Sequence, residues 1–325
     1  MHFRITAIAI ALGAAIVAVP AYAQTDPAFA AWLTEFRTEA LDAGIRNETF
    51  EASFAGVAPI PRIIELDRRQ PESTLTFEQY VDRIVSKARV DRGRARLSEN
   101  SPLLREVAAK FGVQPRFIVA LWGIETNFGQ NTGGFSVIAA LATLAYDGRR
   151  SKFFRRELLD ALRIVDQGHI RPEAMKGSWA GAMGQSQFMP SSFMNYAYDY
   201  DGDGAKDIWN TSADVFASAA NYLSGVGWRP DITWGREVRL PEGFDPALAD
   251  LKVVKKMSEW QALGVRRADG TDLPKREIAA SVVYPGKVGG PAYIVYDNYR
   301  ALLRWNRSLY FATAVGLLSD KIAGR

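Results

Sequence analysis

Apolar positions recur mostly at three- and four-residue spacing along this chain. Phe29, Trp32, Leu33, Phe36 and Leu41 fall on one helical face, with Gly44 placed to end the helix. Ser101-Pro102 reads as a cap followed by a first-turn proline, opening a helix through Phe111 before Gly112. Pro115 opens another, Arg116 to about Thr126, with Phe117, Ala120, Leu121 and Ile124 on one side. Ser136 to Tyr146, Lys152 to Val165 and Ala213 to Leu223 predict three more, and Tyr299 to Leu318 predicts one long, aromatic-rich helix. Between Trp228 and Pro291 the pattern changes. Pro230, Pro241, Pro274 and Pro285 punctuate short runs such as 237–240 and 281–284, which read as strands.

These elements predict a mainly helical protein with a small mixed α/β unit near its C-terminus. The expected division is a helical core at 24–228, the mixed unit at 229–295, and a C-terminal helix at 296–325 that returns to the core. A length of 325 residues suits a main domain with a subdomain, and no internal repeat is visible. Residues 1–23 read instead as a leader, the alternative being an uncleaved N-terminal anchor. His2 and Arg4 precede the apolar run from Ile5 to Val19, and Ala21-Tyr22-Ala23 supplies a small-x-small cleavage pattern. The expected mature chain begins near Gln24, has no membrane span, and is soluble.

Composition narrows the chemistry. Zero cysteines remove disulfides, thiol nucleophiles, thiolate metal sites and a lipid-bearing cysteine. Only two histidines occur, His2 in the leader and His169, too few for a multi-histidine zinc site. No Gly-x-Ser-x-Gly elbow accompanies His169. A formal charge of +4 suits an anionic polymer, but no basic helix with interleaved aromatics points to nucleic acid.

Three segments carry the candidate chemistry. In Leu121-Trp122-Gly123-Ile124-Glu125-Thr126-Asn127-Phe128-Gly129 a lone carboxylate ends an apolar helix. Such surroundings disfavour ionisation, so Glu125 is expected to have a raised pKa and to serve as a proton donor; the alternative is an exposed helix-end glutamate. From Lys176 to Pro190, small residues separate the polar Ser178 and Gln187, as close approach to an extended ligand requires; a tightly packed turn would use the same residues. Asp199-Tyr200-Asp201-Gly202-Asp203-Gly204 has the oxygen spacing of an EF-hand calcium loop, although Asn210 stands where its bidentate glutamate belongs. A metal-free Asx turn is the alternative there.

Together these motifs resemble the lytic murein transglycosylase B family. The likeness extends over nearly all of the expected mature chain. It includes Gly123 through Gly129, Ala140-Leu141-Ala142-Thr143-Leu144-Ala145-Tyr146-Asp147-Gly148-Arg149-Arg150, Gly181 through Gln185, and Gln187-Phe188-Met189-Pro190-Ser191-Ser192. The resemblance implies a lysozyme-like core with a cleft. It implies cleavage of the β-1,4 MurNAc–GlcNAc bond of peptidoglycan with formation of 1,6-anhydro ends. Glu125 would be the sole general acid and base, without a catalytic cofactor. By the same resemblance Ser178, Gln187, Tyr222, Tyr80 and Asn298 would contact the glycan. Asp214 would complete a structural calcium site with Asp199, Asp201 and Asp203, although one extra residue precedes it relative to the family's loop. The expected setting is a Gram-negative periplasm, with peptidoglycan strands as partner and other cell-wall enzymes as further candidates. A hydrolytic muramidase and a non-catalytic peptidoglycan-binding protein are the competing readings.

Overall fold

The computed structural model describes residues 26–69 and 75–324, so the expected leader at 1–23 lies outside the described residues. Six helices come first: α1 (Pro27–Asp42), α2 (Asn47–Phe54), α3 (Pro61–Arg68), α4 (Phe77–Ile84), α5 (Lys87–Glu99) and α6 (Ser101–Phe111). Their starts follow local chemistry. The Asp26 carboxylate accepts the Ala28 N–H, Thr76 and Gln79 form a reciprocal capping box, and Ser86 caps α5.

Helix α7 (Pro115–Thr126) is the structural axis of the site. Residues Arg116 through Gly123 are all buried, a wider apolar surface than the one-sided stripe expected from the sequence. A helix apolar on all sides belongs inside a bundle, and α5, α6 and two later helices, Ser212–Gly225 and Leu309–Ile322, pack around it. A two-residue strand β1 (Phe135–Ser136) leads into α8 (Val137–Asp147) and α9 (Ser151–Asp166), and β2 (Lys176–Gly177) pairs back on β1 in antiparallel register. Two further helices, α10 (Pro190–Tyr196) and α11 (Ser212–Gly225), close this part of the core.

Five strands follow: β3 (Gly235–Arg239), β4 (Lys255–Lys256), β5 (Arg266–Arg267), β6 (Ala279–Val283) and β7 (Ala292–Val295), with the short helix α12 (Met257–Ala262) between β4 and β5. They form an antiparallel sheet of order β4-β6-β7-β3-β5. Alternate residues enter two different cores. Val283, Tyr293 and Val295 join the main helical core, whereas Ala280, Val282, Ala292 and Ile294 pack with Trp260, Met257 and Val265. Burial on both faces explains the unbroken apolar runs of β6 and β7.

The C-terminal region differs from the single helix expected there. It forms α13 (Asp297–Trp305) and α14 (Leu309–Ile322), separated at Asn306, Arg307 and Ser308. Asn306 adopts an extended backbone, its carboxamide oxygen accepts the Ser308 N–H, and the Ser308 hydroxyl caps α14 through Phe311. This polar interruption ends α13 at Trp305. No described helix is long and apolar enough to cross a membrane.

Candidate active site

Glu125 occupies the penultimate position of α7, and the chain beyond it turns sharply. Asn127, Phe128 and Gly129 have φ of 53°, 62° and 82°, three consecutive left-handed residues, two of them non-glycine. Two glycines make this turn possible. A Cβ on Gly123 would lie 2.7 Å from the Phe128 ring, which folds back against the helix and meets Trp122 edge-on at 5.5 Å. A Cβ on Gly129 would lie 2.4 Å from the Gln185 side-chain oxygen, besides requiring positive φ.

Gln185 links this turn to the small-residue loop. Its carboxamide oxygen accepts the Trp122 indole N–H at 2.8 Å, its nitrogen donates to the Trp209 carbonyl at 2.8 Å, and its own carbonyl accepts the Thr126 hydroxyl at 3.0 Å. The Gly129 N–H donates to the same Thr126 oxygen. The Trp122 indole, the Thr126 hydroxyl, the Gly129 N–H and both ends of the Gln185 carboxamide are thus tied to fixed partners, as a preorganised site requires.

The Glu125 carboxyl is half-buried. It lines a small space of about 10 Å³ together with Ile118, Leu121, Trp122, Gln185, Val215 and Trp305 among others. That space admits at most about one water. Poor solvation raises the Glu125 pKa to about 7, against the opposing effect of a hydrogen bond from Trp305. The Trp305 indole N–H donates to the carboxylate at 2.7 Å. No second carboxylate contributes to the shift.

Trp305 escaped the sequence reading because it falls at a break that the periodicity did not reveal. Its ring packs on Tyr222 at 4.8 Å and Phe188 at 5.3 Å. The Tyr222 hydroxyl donates to the Arg304 carbonyl at 2.7 Å, so α11 grips the end of α13 and fixes the indole against Glu125. Asn306-Arg307-Ser308, an asparagine followed two residues later by a capping serine, was the available signal.

The remaining candidates divide into two groups. Tyr80, half-buried on α4, lies close enough to Glu125 for charge coupling, and burial and that charge both raise its hydroxyl pKa. Tyr222 reaches Glu125 through Trp305. The Gln187 backbone has φ of 49°, and its side-chain nitrogen donates to the Thr132 carbonyl at 3.1 Å and the Gly184 carbonyl at 3.0 Å. The Ser178 hydroxyl accepts the Ala182 N–H at 3.0 Å and the Ala180 N–H at 3.3 Å, leaving its own hydrogen for another acceptor. Met183 bridges to both Gly177 and Phe188, which brings the Ser178 and Gln187 segments side by side. Asn298 does something else. It is fully buried, accepts the Arg229 N–H and donates to the Arg229 and Ile232 carbonyls. Its carboxamide clamps the segment entering β3, so its expected role as a glycan contact is corrected.

In the acidic loop, Asp199, Asp201 and Asp214 each bring a carboxylate oxygen within 4.8 Å of the others. Despite the apparent insertion before it, Asp214 enters the group from the first turn of α11. Asp203 is not part of this convergence, and its carboxylate accepts the Ala205 N–H. Asp214 is fully buried and holds the Tyr200 and Asp207 N–H groups. Its pKa is raised, first by burial and further by the charges of Asp201 and Asp199. Among the described residues none of the three has an ion-pair partner. An all-oxygen set with mutual repulsion suits a hard cation.

Comparison with known proteins gives a consistent picture. Residues 28–320 match the family described as the transglycosylase SLT domain. The membrane-bound lytic murein transglycosylase B of Escherichia coli is 30% identical over 251 residues, covering 75% of this chain and 67% of that protein. SltB3 of Pseudomonas aeruginosa, solved in complex with NAG-anhNAM-pentapeptide, is 45% identical with a TM-score of 0.89, covering 93% of this chain and 80% of that one. The Escherichia coli lytic transglycosylase SLT35, solved in complex with calcium, is 27% identical with a TM-score of 0.77, covering 90% and 92% respectively.

Proposed function

The chain belongs to the SLT-domain transglycosylase family and is a lytic transglycosylase of peptidoglycan, and on that premise we propose that Glu125 is its single acid and base. The supporting observation is the solitary, poorly solvated carboxyl with a pKa of about 7. Near neutrality both its protonation states lie within reach, as a group that first gives and then takes a proton requires.

In the first step protonated Glu125 donates to the glycosidic oxygen between MurNAc C1 and the GlcNAc leaving group. The C1–O bond breaks with help from the muramyl acetamido carbonyl. In the second step the Glu125 carboxylate takes the proton of the muramyl C6 hydroxyl while that oxygen attacks C1. The enzyme ends protonated, no water is consumed, and the product is a 1,6-anhydromuramyl end. Ordinary glycosidases divide these duties between two carboxylates, whereas here the substrate supplies the nucleophile. Trp305 stabilises the carboxylate stage by its N–H, and the apolar surroundings stabilise the protonated stage. Ser178, Gln187, Tyr80 and Tyr222 are assigned to holding the glycan around this carboxyl.

We assign a structural calcium to Asp199, Asp201 and Asp214, in keeping with their oxygen chemistry. The ion would fix the loop before α11 and take no part in the proton transfers. The site of action is the periplasm, where the polymer lies. Digestion of purified sacculi tests the catalytic reading. Anhydro products lighter by one water than hydrolytic ones, released by the unaltered enzyme and not by Glu125→Gln, are expected. Hydrolytic products would favour a muramidase, and undiminished activity of Glu125→Gln would remove the assignment.

A further inference from the structure

Two arginines of α5 lie near the end of α7 without a counter-charge among the described residues. Neither Arg89 nor Arg92 forms an ion pair among the described residues, although α5 neighbours such as Lys87 and Arg96 do. Arg92 donates to the side-chain oxygens of Asn127 at 2.7 Å and Gln130 at 3.3 Å, directly after the Glu125 turn. Arg89 donates to the Arg83 and Ile84 carbonyls, while its Nε is buried with no hydrogen-bond partner. Burial and the charge of Arg92 both lower the Arg89 pKa, and coupling to Tyr80 opposes them. Tyr80 in turn couples to Glu125. Arg92 thus joins the α7 terminus through Asn127, with Arg89 a half-buried neighbour on the same helix.

Half-buried cations held near one another, one with an orphaned donor, are costly unless an anion joins them. Sugar hydroxyls and acetamido groups carry no charge. The charged groups on a peptidoglycan strand include the carboxylates attached to its muramyl residues. These are the free lactyl carboxylate of a peptide-free residue or the carboxylates of a peptide stem. Accepting Glu125 as the residue at the cleaved muramyl bond, we propose that Arg89 and Arg92 form a subsite for a carboxylate borne on the lactyl arm of that muramyl residue. The subsite gives the enzyme a preference for muramyl over uncharged sugars next to the scissile bond, and planar guanidinium groups match the geometry of a carboxylate.

Calorimetry with the Glu125→Gln protein, which prevents cleavage, reads the subsite directly. The probes are a GlcNAc–MurNAc tetrasaccharide with peptide stems, the same molecule with its carboxyl groups amidated, and the peptide-free strand in free-acid and amidated forms. Amidation is expected to weaken binding about tenfold, the size of one charge-assisted contact. If amidation matters in the stem-bearing pair, a stem carboxylate is the ligand; if only in the peptide-free pair, the lactyl carboxylate is. Adding Arg89→Gln is expected to weaken the acid form about tenfold and to leave the amidated form unchanged. Arg92→Gln should act likewise, but it also releases the Asn127 turn. The amidated probes on protein with both arginines intact carry the test if that variant folds poorly. Amidation that changes affinity less than about twofold in both pairs, or an Arg89→Gln loss shared by acid and amide forms, would overturn the subsite. Because binding is read without turnover, that result is separable from failure of the catalytic reading, which shows as absence of anhydro ends from the unaltered enzyme.

Discussion

Glu125 and Asp214 are both carboxylic acids embedded in protein, and both have raised pKa values, yet their surroundings prepare them for different uses. Around Glu125 there is poor solvation, one indole N–H and no neighbouring acid. The way for that group to shed its charge is to hold a proton, which is what glycosidic cleavage asks of it. Around Asp214 two further carboxylates converge, and two backbone N–H groups already hold its oxygens. Protonating one of three acids relieves that cluster only partly, whereas a divalent cation relieves all of them. Two other buried acids show the intermediate solutions. Asp67 sits between Arg149 and Arg150, whose hydrogen bonds hold its pKa below the usual range, and Glu157 is pushed up by burial while bonding the Ser191 N–H and hydroxyl. The counter-group, rather than burial itself, separates a proton-transfer residue from a structural one.

The sharpest way to break this contrast is Glu125→Gln. Its expected loss of turnover is about a hundredfold to ten-thousandfold, the range for general acid–base groups, with the release of anhydro muropeptides as the measurement. The same change should stabilise the fold. A carboxyl whose folded pKa lies above its unfolded one costs nothing below pH 4.5, becomes progressively more costly as pH rises, and exerts its full cost above about pH 7. The gap corresponds to about 3 kcal/mol, an upper figure for a half-buried group. Denaturant titrations should therefore show Glu125→Gln more stable than the parent at pH 8 and equal to it at pH 4. Equal stability at both pH values would mean that Glu125 is better solvated than the structure indicates.

The acidic loop should respond to metal instead. Calcium at about a hundred times its dissociation constant is expected to stabilise the folded protein by about 2.7 kcal/mol, read as a rise in melting temperature reversed by a chelator. Asp214→Asn should abolish that response, while Asp203→Asn should leave most of it, because the Asp203 carboxylate lies outside the converging group. A full response in Asp214→Asn would remove the proposed ligand set.

Much of this was legible in the sequence, for identifiable reasons. Helix α7 announced itself by Pro115 and by apolar periodicity, and Glu125 was conspicuous as a lone acid in that setting. Their neighbourhood was less legible. Asn298 looked like a ligand-binding amide, but its burial against the Arg229–Ile232 segment depends on how the chain returns from the sheet. The interrupted C-terminal helix was hidden because Asn306-Arg307-Ser308 contains neither proline nor glycine, so periodicity ran through it. Arg89 and Arg92 carry no signal in the sequence, and only the folded arrangement shows that neither has an ion-pair partner among the described residues. Asn298, Trp305 and Arg92 share one feature: each takes its role from a partner distant in sequence.

The smallest expected effect is also the most specific. Trp305→Phe removes the indole N–H from Glu125 while retaining an aromatic ring against Tyr222 and Phe188. That hydrogen bond favours the ionised carboxyl, so without it the Glu125 pKa rises further above about 7. Tyr80, on α4, is the titratable neighbour whose charge couples to Glu125, and it stays neutral across the relevant range because its own pKa is raised. Since cleavage begins from protonated Glu125, activity should persist to higher pH. The alkaline limb of kcat/KM should shift upward by about one unit, with a lower plateau because a weaker acid protonates the leaving oxygen less readily. If Trp305 served only to pack the end of α13, the loss would be the same at every pH and the limb would stay where it was. A limb that moved downward would mean that the indole favours the protonated carboxyl, reversing the electrostatic account of the site.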